Sequence, residues 1–531
     1  MKMAAKTEEM ISLTREEYEE LLSAKAENQR LSKQVENLSV EVEWLLEQLR
    51  LGKKHKFGSK ADTVSEETYE QLSLLFDEAE ATQWAESVQT KEEVLVAAHS
   101  RSRKTGALSD IVPADIPVEV EEHRLSGEDL LCKTCGSEMV EIGKTVKRTL
   151  KIKPAEVLVH EDWYYTYACK ECEKATGFTP IEKTPRDCSV LPGSYASPEA
   201  IAYIMTQKYD MGMPLYRLEK DLKRRKVLLS RQTMANWVIS GSRKWLQPIY
   251  EELHKRLVQE EIIHADETTL QVLHEPGKKA ESESYMWLYR TGKFAEHPIV
   301  LYEYQPNRKQ ENPAEFLKGF SGYLQTDGYG GYNRVENVVH VGCLAHLRRK
   351  FTDAEKSAPK GAKSPTTTTA LAYCSRLFDL EKKLADLPCA ERYALRQEQA
   401  KPILEEFYAW AQTRTASPKS KLGEALTYLK NQMPKIRNYL LDGRLETTNN
   451  PAERSIKPFV IGRKNFLFAN TPAGATASAV TFSIIQTAKE SGLDPFRYLT
   501  YIFKKAPVLA QTDSDWAALL LPENAPASCR V

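Results

Sequence analysis

Between positions 20 and 50 apolar residues recur every 3.5 positions. Leu21, Asn28, Val35, Val42 and Leu49 fall on one heptad position and Ala24, Leu31, Leu38 and Leu45 on the other, with no Pro or Gly before Gly52. Such a seam winds two helices around each other, Val at a with Leu at d favours two parallel strands, and a buried Asn fixes register. The pattern predicts a coiled-coil dimer over 1–52; the alternative is one amphipathic helix packed on the body. From 197 the period becomes helical over 197–209 and 215–225. Ser230 then caps a helix running through Gln232, Ala235, Trp237 and Ile239. Helix, turn and capped second helix over 191–258 make a helix-turn-helix candidate, with a packing subdomain as the plainer reading.

Beyond residue 260 the period changes to two, or to continuous apolar runs, predicting strands at 261–268, 285–289, 299–304, 322–329 and 338–343. A short helix at 313–320 interrupts them, and a longer one starts at 345. Three strands, helix, strand, strand, helix is the order of a ribonuclease-H-like core, first part 259–355. In that order the Asp closing strand one and the Asp closing strand four lie on neighbouring strands. Residues 356–445 read as a charged α-helical insertion. At 446–458 a new element begins, with Asn450 as cap and Pro451 in the first turn, opening the second part of the core (446–510); 511–531 reads as a tail. The fold class expected is multidomain α+β.

Composition changes this picture in one respect. The 531 residues carry 74 basic and 74 acidic side chains, so the net charge is zero. The charges are segregated: 61–100 holds ten acids against one Lys, and 217–226 holds six bases against two acids. Segregated charge gives separate segments separate tasks and keeps nucleic acid among the partners. No apolar run nears the ~18 residues of a membrane span. The N-terminus lacks a signal core, so a cytoplasmic protein is expected, nucleoid-associated when bound to DNA. The region 53–125 reads as a basic-then-acidic linker with one short helical pattern.

Four of nine cysteines form two C-x-x-C pairs, Cys132/Cys135 and Cys169/Cys172. Two intervening residues let a tight turn present both sulfurs to one ion, so 126–190 reads as a zinc-ribbon-like module with structural Zn²⁺ and β-rich stretches at 145–152 and 157–167. A redox pair or free thiols are the alternatives. Asp266, Asp327 and Glu453 are the acids the strand order selects. Three carboxylates can bracket two divalent ions, Mg²⁺ or Mn²⁺, for in-line phosphodiester displacement. Any one of them taken singly reads as a surface or turn acid.

These residues resemble the transposases of the insertion sequence 66 family, of the DDE class. The resemblance is carried by K-F-G-S-K at 56–60, both C-x-x-C pairs, P-L-Y-R at 214–217 and H-A-D-E-T-T-L-Q-V-L at 264–273. It continues in G-F-S-G-Y-L-Q-T-D-G-Y at 319–329, G-C-L-A-H-L-R-R-K-F at 342–351, G-R-L-E at 443–446, N-N-P-A-E-R at 449–454 and G-R-K-N at 462–465. It implies a metal-dependent enzyme that cuts at its element's terminal inverted repeats and joins the 3′ ends to target DNA. Asp266, Asp327 and Glu453 are then the catalytic, metal-holding triad, with Glu446 the rival for the third place. Cys343 and His346 match a C-x-x-H signature that shapes the site, or are a buried thiol and a hydrogen-bonded imidazole. Lys223, Arg224, Arg225, Lys226, Arg231, Arg454, Lys457, Arg463 and Lys464 are the DNA-contact candidates, with a solvated basic face as their plainer reading. Partners implied are double-stranded DNA, a second copy through the coiled coil, and accessory proteins of the same element. A non-catalytic zinc and zipper DNA-binding protein and a ribonuclease-H-like nuclease without strand transfer stay open.

The cysteine spacing predicts one zinc per chain. Elemental analysis of natively purified protein checks it: about one equivalent is expected, and none after Cys132→Ser with Cys135→Ser.

Overall fold

The structure, a computed structural model, describes residues 14, 15, 20, 23–25, 27–30, 156–168, 174, 181–184, 188–358 and 364–531. Of the heptad seam only Ala24 and Asn28 are among them, both helical and exposed. The linker and Cys132, Cys135, Cys169 and Cys172 lie outside the described residues. The chain divides into two compact units. In the smaller, β1 (Thr166–Ala168) pairs antiparallel with β2 (Ile181–Lys183). The strand expected over 157–167 forms only at its end. Val157, Leu158 and Val159 are all exposed, so 157–165 has no buried face to hold a ladder.

In the larger unit α1 (Pro198–Tyr209) is capped by Ser197, whose Oγ accepts from Ala200 N, and α3 (Arg231–Gly241) by Ser230, whose Oγ accepts from Thr233 N. Between them lies α2 (Leu215–Arg224). One π-turn joins α3 to α4 (Gln247–Leu257). β3 (Ile262–Gln271), β4 (Glu283–Thr291) and β5 (Val300–Gln305) follow as an antiparallel meander. After α5 (Glu311–Phe316), β6 (Gly322–Gln325) and β7 (Val338–Val341) add parallel on the far side of β3, giving the order β5-β4-β3-β6-β7. β6 ends two residues before Asp327, because the chain turns through Gly328 at φ +94°, a conformation glycine adopts without strain.

Five helices come next: α6 (Leu344–Ser357), α7 (Pro365–Leu384), α8 (Cys389–Leu395), α9 (Lys401–Gln412) and α10 (Lys421–Ile436). They bury their own core, including Phe351, Leu377, Phe407 and Leu429. The chain returns through α11 (Asn450–Phe466), α12 (Pro472–Glu490), α13 (Pro495–Leu509) and α14 (Trp516–Leu519). The cap of α11 falls on Asn449, one residue earlier than the sequence suggests. The segment 511–531 is packed and not a free tail: Leu520 and Leu521 are fully buried, and Trp516 meets Trp245 edge to face at 5.8 Å.

α12 closes the open edge of the sheet. Ser483 Oγ accepts from Tyr302 N at 2.7 Å and Thr487 Oγ1 from Val300 N at 3.0 Å, so two helix hydroxyls one turn apart satisfy amides that an edge strand leaves bare. Phe482 beside them contacts the rings of Tyr209, Tyr302 and Phe459. Alternation along β3 and β4 sends Asp266, Leu288 and Arg290 toward α11 and α12, and Glu267, Trp287 and Tyr289 to the opposite face. On that opposite face Tyr289 stacks on Phe316 and Trp287 meets Tyr332.

Glu303 on β5 is half-buried there, with Oε1 accepting from Gln305 and a buried, unpartnered Oε2. Burial raises its carboxyl to about 7. A carboxyl raised on folding favours the native state fully below its unfolded value and loses that contribution as pH climbs through about 4.5 to 7. Glu303→Gln should therefore match the wild type near pH 4.5 and exceed it by up to about 3 kcal/mol at pH 7.5. Urea unfolding at both pH values checks it, and an equal difference at the two would refute it.

Candidate active site

The parallel register of β3 and β6 is the starting point. His264 pairs with Gln325, so Asp266 and Asp327 each stand two residues beyond the same rung. Backbone amides orient both: Glu267 N donates to Asp266 Oδ1 at 2.9 Å and Tyr329 N to Asp327 Oδ1 at 2.8 Å. Glu453 comes from the first turn of α11. Asn449 fixes where that turn begins. Its Oδ1 accepts from His264 Nδ1 at 3.1 Å, its Nδ2 donates to the Ala265 carbonyl at 2.8 Å, and its backbone N–H points to Cys343 Sγ at 3.1 Å.

The electrostatics follow from this crowding. Burial first, then the charges of Glu267, Asp327 and Glu453, push the Asp266 carboxyl well above the usual carboxylate range. Glu453 Oε1 is buried without a hydrogen-bond partner. A set of hard oxygen donors that repel one another, with one oxygen left unsatisfied, fits an oxygen-preferring divalent cation such as Mg²⁺ or Mn²⁺. Glu267, the other acid of the D-E pair, is spent elsewhere. It accepts from Tyr332 Oη at 2.5 Å and from Arg308, whose guanidinium lies 3.7 Å from the centre of the Tyr329 ring. Glu446 lies among cations. Its pKa is raised by burial, and the charges that oppose the rise are Arg454, Lys293, Arg290 and Arg392.

α6 supplies the flank of Glu453. Cys343 stands at its N-cap, and burial pushes the thiol up to about 11, so the sulfur stays protonated and serves as acceptor for Asn449. His346 Nδ1 lies 3.6 Å from Glu453 Oε1, and Arg349 lies 3.7 Å from Glu453 Oε2. Arg349 also approaches His346 Nε2 at 3.3 Å. A guanidinium only donates, so Nε2 is the acceptor and Nδ1 carries the proton toward Glu453. Burial lowers the His346 pKa, which keeps the ring neutral. Arg349, on the exposed face of α6 beside Lys350, was not among the residues singled out from the sequence; the R-R-K run after His346 was the only signal.

The basic candidates divide. Lys223, Arg224, Lys226 and Arg231 are exposed around the α2–α3 turn, with Lys226 at φ +64°. Arg225 and Arg224 both pair with Asp221. Arg454 and Lys464 are exposed on α11 and Lys457 is half-buried. Arg463 is turned inward: its guanidinium donates to the Thr269 carbonyl and to Thr269 Oγ1 at 2.9 Å, fastening the far end of α11 to β3.

Comparison with known proteins adds the following. Residues 193–477 match the family described as Transposase IS66 family, and 483–520 its C-terminal element. Residues 129–173 match the zinc-finger binding domain of transposase IS66, and 44–120 match Transposase C of IS166 homeodomain, a stretch that includes most of the linker read at 53–125. Among curated proteins the chain is similar to the uncharacterized proteins y4hP, y4qI and y4jD of Sinorhizobium fredii. With y4hP it is 28% identical over 82% of each chain, and with y4jD 28% identical over 80% of this chain and 83% of the relative. With y4qI it is 34% identical over 56% of this chain and 58% of the relative.

The Asn449 junction makes a stability prediction. Asn449→Ala strips a buried imidazole and a buried carbonyl of their partners, at a cost of about 1–3 kcal/mol for each buried group left unpaired. Chemical unfolding of wild type and variant measures it; a loss below about 0.5 kcal/mol, the range of neutral surface changes, would mean that the junction does not hold α11 on β3.

Proposed function

The chain belongs to the Transposase IS66 family, and from that premise we propose that it is a DDE transposase. It cleaves DNA at the terminal inverted repeats of its element and transfers the 3′ ends into target DNA. The observation that carries the reading is geometric: Asp266 and Asp327 stand two residues beyond one rung of neighbouring strands, and Glu453 lies in the first turn of the helix whose cap residue bonds β3 beside Asp266. The order β5-β4-β3-β6-β7 followed by a helical segment and α11 supports a ribonuclease-H-like core interrupted by an insertion.

Two Mg²⁺ or Mn²⁺ ions held by Asp266, Asp327 and Glu453 supply, when bound, activation of the attacking water or 3′-hydroxyl and stabilisation of the leaving oxygen. The chain's own groups do the rest. Asn449 sets Glu453 against Asp266, and His346 with Arg349 limits the rotation of the Glu453 carboxylate. Arg349, Lys350 and Arg454 are exposed cations on the two helices that carry His346 and Glu453, suited to the phosphates flanking the cut bond. Lys223, Arg224, Lys226 and Arg231 around the α2–α3 turn serve as backbone contacts for a helix-turn-helix. Lys457 and Lys464 extend the basic face of α11, while Arg463 acts through β3. Structural Zn²⁺ at Cys132, Cys135, Cys169 and Cys172, dimerisation through 1–52 and accessory proteins of the element complete the proposal.

The test uses purified full-length protein, a duplex carrying an element end, a supercoiled target and Mg²⁺. Wild type should cut the end and join it to the target. Asp327→Asn should lose at least about a hundredfold in cleavage and keep wild-type affinity for the end, because the amide preserves shape and removes a metal ligand. Cutting without joining would favour a nuclease, and binding without cutting a non-catalytic protein.

A further inference from the structure

The helices between α6 and α11 reach back to the acid site at one place. α10 lies against the turn that carries Asp327. Tyr428 Oη donates to the Asp327 carbonyl at 2.7 Å, and Gln432 Nε2 lies 3.5 Å from the Gly328 carbonyl. Three residues on, Lys435 Nζ donates to Asn333 Oδ1 at 2.5 Å, at the far end of the same loop. Contact is tight: a Cβ on Gly328 would sit 3.0 Å from both Tyr428 Oη and Gln432 Oε1, so these side chains would have to give by a few tenths of an ångström to admit one. Tyr428 is half-buried, and its hydroxyl donates to a main-chain carbonyl.

The turn needs such a contact. The sheet ladder ends before the acid, with Thr326 N bonding the Val341 carbonyl. Beyond it the Asp327 side chain is oriented by its own loop, through Tyr329 N. That local bond fixes the carboxylate relative to the loop and not to the sheet, and the bond from Tyr332 to Glu267 holds the loop only further along. The Tyr428 bond is made to the Asp327 main chain itself, so it fixes the turn relative to the body of the protein.

We propose that Tyr428, assisted by Gln432, is a positioning residue for Asp327, and that the helical segment thereby completes the acid site instead of merely interrupting the fold. The proposal rests on the reading of Asp327 as a metal-holding carboxylate. Tyr428 touches neither metal nor DNA in this scheme. It restricts Asp327 to the orientation in which its carboxylate and that of Asp266 face the same ion, so losing the hydroxyl weakens metal affinity and leaves DNA affinity unchanged.

The test measures Mn²⁺ binding to the full chain by loss of the free-ion electron paramagnetic resonance signal, for wild type, Asp327→Asn, Tyr428→Phe and Gln432→Ala. Tyr428→Phe keeps the ring and its packing and removes one hydrogen bond. Its Mn²⁺ affinity should fall about tenfold, with a smaller fall for Gln432→Ala. In end cleavage the half-saturating Mg²⁺ concentration should rise by a similar factor, with maximal rate approached at high metal and end binding without metal unchanged. Wild-type Mn²⁺ affinity in Tyr428→Phe would overturn the proposal. So would a lower maximal rate with unchanged metal dependence, the signature of a merely structural residue. Should Asp327→Asn bind Mn²⁺ like wild type, the acid-site reading itself falls, an outcome distinct from a failure confined to Tyr428.

Discussion

The placement of Glu453 against Asp266 depends on one buried side-chain amide. Asn449 is fully buried and bonds to two successive residues of β3 that lie 185 and 184 positions earlier in the chain. Its main-chain N–H reaches Cys343, 106 positions earlier. Three segments distant in sequence are thereby locked at one point, and each delivers a group to the same place within a turn or two: Asp266 from β3, His346 from α6, Glu453 from α11. An amide suits the junction because it donates and accepts at once. An Asp there could accept from His264 but could not donate to the Ala265 carbonyl.

A second tether makes the junction rigid. Arg290 on β4, nearly fully buried, donates to Ser455 Oγ at 2.6 Å and pairs with Glu490 at 3.1 Å. It joins the central sheet to α11 and α12, its Ser455 bond lying six residues beyond the Asn449 lock. With the inward-turned Arg463 at its far end, α11 is fixed to the sheet at both ends. Two fixed ends on a helix of 17 residues allow little tilt, and tilt is what would move Glu453 relative to Asp266. The pleat divides the remaining labour. Asp266 faces the helices that bring Glu453, while Glu267 faces Arg308 and Tyr332 and steadies the loop after Asp327 from the opposite side.

How much of this was legible in the sequence depends on the range of the interaction. Period-2 runs marked all five strands of the large sheet to within a few residues, since alternation is local. Ser230 was readable as a cap because a cap bonds three residues ahead. Asn449 was not, because its partners lie on another element and a cap pattern looks the same whether the side chain bonds its own helix or crosses to β3. Arg463 shows the converse: helix spacing puts it among basic neighbours, but only the fold reveals that Thr269 takes up its donors. Glu446 and Glu453 were rivals by spacing. Their surroundings differ: Arg454, Lys293, Arg290 and Arg392 act on the first, while the second acts on Asp266 and lies near His346 and Arg349.

The intervening helices pose the question of why a chain would place some 90 residues between two parts of one site. Loop-closure entropy grows only slowly with length, so a helical segment with its own core is tolerated if its ends meet. They do: Gly342 N bonds the Lys435 carbonyl at 3.0 Å, and Leu344 N bonds the Thr447 carbonyl at 2.8 Å. The approach at Gly342 is so close that a Cβ would lie 2.9 Å from the Ile436 side chain and 3.0 Å from its backbone nitrogen. Yet the junction is not a neutral hinge. The helix that leaves the sheet, α6, bears His346 and Arg349, and the helix that returns, α10, bears Tyr428 and Gln432. Both boundaries of the helical segment therefore lie inside the acid site, and the segment cannot shift against the sheet without moving the groups that hold Asp327 and Glu453.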